Sequence, residues 1–161
     1  TLNRFLEAMS GEAYKVFDIN LRQHFYTMEV LKDSLVRCNL LKLNDEELVI
    51  LSELLELSEK SIEGKCWEMM KRFDLKVLIL TCGKQGSYVF SGDTRSFLDT
   101  PHVKVVDTVG AGDSFTAAFC AAILKGKSMV EAHRLAVEVS AFVCGQAGAM
   151  PRLPEKLKGI L

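Results

Sequence analysis

The sequence contains no C-x-x-C pair, and its five cysteines (Cys38, Cys66, Cys82, Cys120, Cys144) are scattered and odd in number. That pattern excludes a disulfide framework and a zinc site. It predicts a reducing, cytoplasmic setting in which each thiol packs as a small apolar side chain. No run of about 18 apolar residues occurs, so no segment is expected to span a membrane. No charge of one sign dominates: the net charge is -1, which excludes a protein that holds nucleic acid by neutralising many phosphates. Repeats, linkers and low-complexity stretches are absent. Two of the three prolines, Pro151 and Pro154, break up the tail. The three histidines (His24, His102, His133) match no catalytic pattern and are expected at the surface or in turns. There is neither an initiator Met nor signal-peptide character. Leu2, Phe5, Leu6 and Met9 already follow helical spacing, so the chain is expected to begin inside a folded element of a longer protein.

What is present alternates between helical and strand periodicity. Helices are predicted over about 2–10, 27–37, 45–56, 58–73, 113–125 and 129–144. The third carries Leu48, Leu51, Leu54 and Leu55 on one face, and the fourth packs with Trp67, Met69 and Met70. The fifth buries Phe115, Phe119, Ala122 and Ile123; the last turns Ala132, Leu135, Ala136, Val139, Phe142 and Val143 inward. Strands are expected in "YKVFDIN", "CNLLKLN", "KVLILTCG" and the apolar start of "VVDTVGAGDSFT", with "GSYVFSG" and "TRSFLDT" forming a hairpin around Gly92-Asp93. This is an α/β fold with a mostly parallel sheet flanked by helices. Ligands of such sheets bind beyond the carboxyl ends of the strands, which here carry Asp18-Ile19-Asn20, Lys42-Leu43-Asn44, Thr81-Cys82-Gly83 and Asp107-Thr108.

Residues 105–116 are the densest in chemistry. Glycines at 110 and 112 stand where an apolar stretch gives way to a helix. A helix N-terminus offers unpaired backbone N–H groups and a partial positive charge, and glycines remove the Cβ atoms that would block an anion. If the helix starts near Gly112, the amides of residues 110–113 converge on one oxygen, most simply a phosphate oxygen. Asp113 beside a phosphate is repulsive unless it takes a proton from an attacking hydroxyl as a general base. The pattern equally allows Asp113 to cap the helix and the glycines to make a tight turn. A dinucleotide site fits less well, because the third glycine of G-x-G-x-x-G is missing.

"DTVGAGDSF" resembles the D-T-x-G-A-G-D signature of the ribokinase-like PfkB family of carbohydrate kinases. "FDINLR", "NDEE", "TCGKQG" and "GAMPRLP" are similar, in order, to that family's D-x-N-x-R, N-x-x-E, T-x-G-x-x-G and G-A-x-x-x-x-P stretches. The resemblance covers the whole chain but only the carboxyl-terminal half of a family member. It implies the carboxyl-terminal, nucleotide-binding part of a ribokinase-like fold over residues 1–161, and ATP-dependent phosphorylation of a sugar hydroxyl, fructokinase-like. The alternatives are a 2-keto-3-deoxygluconate kinase, a ribokinase, or a non-catalytic nucleotide-binding fragment.

By the same resemblance, Asp113 is the catalytic base that meets the substrate hydroxyl, and Gly110, Ala111 and Gly112 form the anion hole with it. Asn20, Thr81, Gly83 and Gly86 face the nucleotide phosphates, and Arg22 faces a sugar or phosphate. Asn44 and Glu47 position Mg2+ through water, although Asn-x-x-Glu is also a capping box that needs no metal. Asp107 is placed at a monovalent cation such as K+, although a turn-forming role accounts for it equally. The pair Ala136-Val137 stands where family members often carry Ala-Asn near adenine. The implied partners are ATP and a small sugar. In the family the amino-terminal half supplies most sugar contacts, a lid of strands and a homodimer contact.

Overall fold

A computed structural model describes residues 2–23 and 25–158; His24 lies outside the described residues. Five strands, β1 (Val16–Asp18), β2 (Leu40–Asn44), β3 (Val77–Thr81), β4 (Ser87–Ser91) and β5 (Thr94–Leu98), form one sheet in that order. β1 and β2 run parallel, with Asp18 opposite Lys42. β4 and β5 are joined by only two residues, which makes them an antiparallel hairpin at Gly92-Asp93. The helices are α1 (Leu2–Ala8), α2 (Met28–Arg37), α3 (Asp45–Leu54), α4 (Ile62–Arg72), α5 (Ala111–Leu124), α6 (Met129–Cys144) and α7 (Glu155–Lys158). Among the described residues no helix is long and apolar enough to cross a membrane. The chain divides into two compact units, Thr1–Leu80 with Phe90–Thr94, and Thr81–Val89 with Arg95–Leu161.

In the first unit, β2 and β3 are buried along their length, as continuous apolar runs require. Leu48, Leu51 and Leu55 are buried on or just past α3, whereas Leu54 is only half-buried. Trp67 meets Phe90 edge-on with ring centroids 5.0 Å apart, and Met69 and Met70 are buried beside it in sequence. α3 stops at Leu54 rather than 56 because Glu56 turns left-handed at φ 53° and Leu57 N–H returns to the Ser52 carbonyl. α4 starts at Ile62 rather than 58. The Glu68 carboxylate accepts both the Ser58 and Glu59 amides at 2.9–3.1 Å and holds them outside the helix, which Ser61 then caps.

In the second unit α5 packs along α6. Phe115, Ala118, Phe119 and Ala122 are buried on α5, and Ala132, Leu135, Ala136, Val139 and Val143 on α6. Ala141 is buried and Phe142 is half-buried, the reverse of expectation, and Ile123 is also only half-buried. The strand expected at the apolar start of "VVDTVGAGDSFT", Val105-Val106, is absent. Val106 and Asp107 give their N–H groups to the Cys144 carbonyl at the end of α6, at 2.9 and 3.3 Å, instead of to a neighbouring strand. Val103, Val105 and Val106 consequently stay exposed.

His133 overturns its assignment to surface or turn. It is fully buried, with one ring nitrogen 2.8 Å from the Ser87 hydroxyl and the other 2.9 Å from the Ser96 hydroxyl. The hydroxyls can rotate to serve the donor and the acceptor nitrogen of a neutral ring. Burial lowers its pKa from the ordinary 6.5 to about 4. The neutral ring therefore contributes its full stability above pH 6.5, and that contribution is lost as the pH falls toward 4. The loss is worth about 3 kcal/mol. Melting temperatures at pH 7.5 and 4.5 should differ less for His133→Gln than for the unmodified chain.

Candidate active site

The residues singled out from sequence fall into two groups, one in each unit. In the first unit the Lys42 ammonium is nearly buried and lies 3.1 Å from Asp18 Oδ1, a direct result of their cross-strand register. Asn20, at φ 46°, turns the chain out of β1; both it and Arg22 are exposed. The capping box at α3 is fully formed: Asn44 Oδ1 accepts the Glu47 amide and Glu47 Oε2 accepts the Asn44 amide, each at 2.8 Å. Glu47 Oε1 accepts the Leu21 amide at 2.9 Å. Each oxygen of Glu47 is thus already on a backbone N–H, in a residue that is only 5% exposed. Among the described residues no group of three or more His, Cys, Asp or Glu could hold a metal ion.

In the second unit the stretch after β3 closes on itself. Cys82 N–H donates to the Gly86 carbonyl at 2.8 Å, and Gly83–Gln85 make a single 3-10 turn. Thr81 is half-buried, Gly83 exposed and Gly86 buried, with the Leu98 carbonyl only 2.5 Å from where a Gly86 Cβ would stand. The Thr100 hydroxyl donates to the Gly83 carbonyl at 2.6 Å and pins the turn. Nothing in the sequence marks Thr100. Lys42 had a visible signal, since it is a lone charge inside an apolar strand.

α5 begins at Ala111, two residues before the predicted start, with Gly110 left-handed at φ 79° as its cap. Ser114 N–H reaches the Gly110 carbonyl at 2.8 Å and Ala111 N–H is spent on Thr108 at 3.3 Å. The amides of Gly112 and Asp113 therefore remain without a carbonyl one turn back, beside the exposed Asp113 carboxylate. The group that crowds Gly110 is the chain's own backbone: a Cβ there would lie 2.5 Å from the Ala149 carbonyl oxygen. Asp107 joins the same segments, Oδ1 accepting Val109 N–H at 3.0 Å and Oδ2 accepting Gly148 N–H at 3.2 Å. These amides, Val109 foremost, hold the Asp107 carboxyl below the usual carboxylate range. Ser140 Oγ donates to the Ala111 carbonyl at 3.0 Å and braces the first turn from α6.

Gly110→Ala is expected to destabilise the chain by about 2–3 kcal/mol, because both the dihedral and the space are wrong for a side chain. Gly83→Ala, where a Cβ would meet nothing within 4 Å, should cost about 1 kcal/mol. Denaturant melts of the two variants check this difference.

The family model described as pfkB family carbohydrate kinase matches residues 1–156. Probable fructokinase-3 of Arabidopsis thaliana is 29% identical over 165 residues, covering 95% of this chain and 46% of its own length. Another Arabidopsis thaliana relative is 29% identical over 160 residues, covering 92% of this chain and 74% of its own length. Among solved structures, the nucleoside kinase of Methanocaldococcus jannaschii, an archaeal member of the ribokinase family, superposes with a TM-score of 0.80 at 26% identity. That match covers 98% of this chain and 50% of the nucleoside kinase, so the fold is ribokinase-like and the chain spans about half of that neighbour.

Proposed function

Because the chain belongs to the pfkB family of carbohydrate kinases, we propose that it carries the phosphate-handling part of an ATP-dependent sugar kinase acting on fructose. The observation that supports this most is the start of α5, where two amides without helical partners stand beside an exposed carboxylate. In the proposed reaction the sugar hydroxyl attacks the terminal phosphorus of ATP. Its proton passes to the Asp113 carboxylate, the bond from that phosphorus to the ADP oxygen breaks, and the Gly112 and Asp113 amides receive the charge on the transferring group.

Asn20 and the Thr81, Gly83 and Gly86 stretch serve the nucleotide phosphates, and Arg22 the sugar or phosphate. Asn44 and Glu47 would hold a hydrated Mg2+, which supplies charge neutralisation on the phosphates when bound. Asp107 would hold a monovalent cation such as K+ next to the backbone it already organises. Fructose is inferred from the fructokinase relative.

By resemblance, sugar contacts and lid belong to the half of the family that this chain does not span. The 161 residues alone are therefore expected to bind nucleotide but not to phosphorylate fructose. With that half supplied in cis, Asp113→Asn should lower kcat by at least about a hundredfold while ATP binding persists. Near-normal turnover of that variant would remove Asp113 from its role. In the same assay Glu47→Ala should raise the Mg2+ concentration needed for half-maximal rate.

A further inference from the structure

Glu47 is 5% exposed, and its oxygens are divided between two backbone amides from different elements. The bond to Asn44 N–H completes the capping box of α3. The bond to Leu21 N–H has no part in starting a helix. Leu21 lies between Asn20 and Arg22, and Asn20 makes the turn with a left-handed φ of 46°, a conformation Asn tolerates better than most side chains. Below this turn the backbone is tied again, by Ile19 N–H to the Lys42 carbonyl at 3.1 Å and by the Lys42–Asp18 ion pair. The turn is therefore anchored at its base by a strand and at its tip by a carboxylate.

We propose that Glu47 is a positioning residue that fixes the Asn20–Arg22 turn for a polyphosphate ligand, and that it does so without a metal. The proposal rests on reading Asn20 as a phosphate contact. A carboxylate suits the task because it offers two acceptors, makes charge-assisted bonds about twice as strong as neutral ones, and sits where the α3 dipole favours negative charge. Gln has one acceptor and would turn an NH2 group toward the other amide. Asp keeps the charge but is one methylene too short to reach both amides.

The test uses the full chain, inorganic tripolyphosphate as probe and EDTA to exclude divalent ions, with binding read by calorimetry. Removing a negative charge by Glu47→Gln should tighten anion binding if only Coulomb attraction matters. Positioning requires the opposite: Glu47→Gln and Glu47→Asp should each bind tripolyphosphate at least about tenfold more weakly, because the turn is no longer preorganised. The Leu21 amide should exchange with solvent faster in both. Binding in EDTA as tight as that of the unmodified chain, or tighter, overturns the proposal. Absence of tripolyphosphate binding by the unmodified chain overturns instead the phosphate assignment beneath it. Circular dichroism checks the fold, and if Glu47→Gln does not fold, the charge-conserving Glu47→Asp decides the outcome.

Discussion

Backbone amides released at the ends of strands and helices must find acceptors, and in this chain carboxylates serve several of them. Glu47 takes Asn44 and Leu21, Asp107 takes Val109 and Gly148, Glu68 takes Ser58 and Glu59, and Glu131 takes Ser128. Each bond removes an amide that would otherwise compete for, or be lost from, the polar ends of the elements. What is left unpaired then becomes informative. At the start of α5 the Ala111 amide is taken by the Thr108 carbonyl, and Gly112 and Asp113 follow it as donors without a carbonyl one turn back. The chemistry assigned to Asp113 depends on that selection as much as on the carboxylate.

Most elements were legible because their causes are local. α2 and the second, third, fourth and fifth strands lie within one or two residues of their predicted places, since apolar period, caps and the Gly92-Asp93 turn are all written in contiguous residues. The site motifs were legible by pattern, and the capping box at Asn44 and Glu47 was legible by chemistry. The misses at Val105-Val106, His133 and Gly110 share a cause, which is partners distant in sequence. Val105 and Val106 look like a strand until the Cys144 carbonyl claims the backbone there. His133 looks idle until Ser87 and Ser96, 46 and 37 residues away, are placed on its two nitrogens. The glycine at 110 is read from sequence as the approach of an anion, whereas the atom that crowds it is Ala149 O, 39 positions further along the chain with no local trace.

The two bonds made by Asp107 also close a ring of covalent chain. Its N–H meets the Cys144 carbonyl at the end of α6, and its side chain meets Gly148 N–H only four residues later. The intervening Gly145, Gln146 and Ala147 thus span a gap whose two ends are fastened to the same residue. A stretch held in this way acts as a ruler: one residue more or fewer would move Ala149 off Gly110, whereas the exposed run from Pro101 to Val105 has no such double fastening. Insertions and deletions among descendants of this sequence should therefore accumulate before Val106 and be excluded between Cys144 and Ala149.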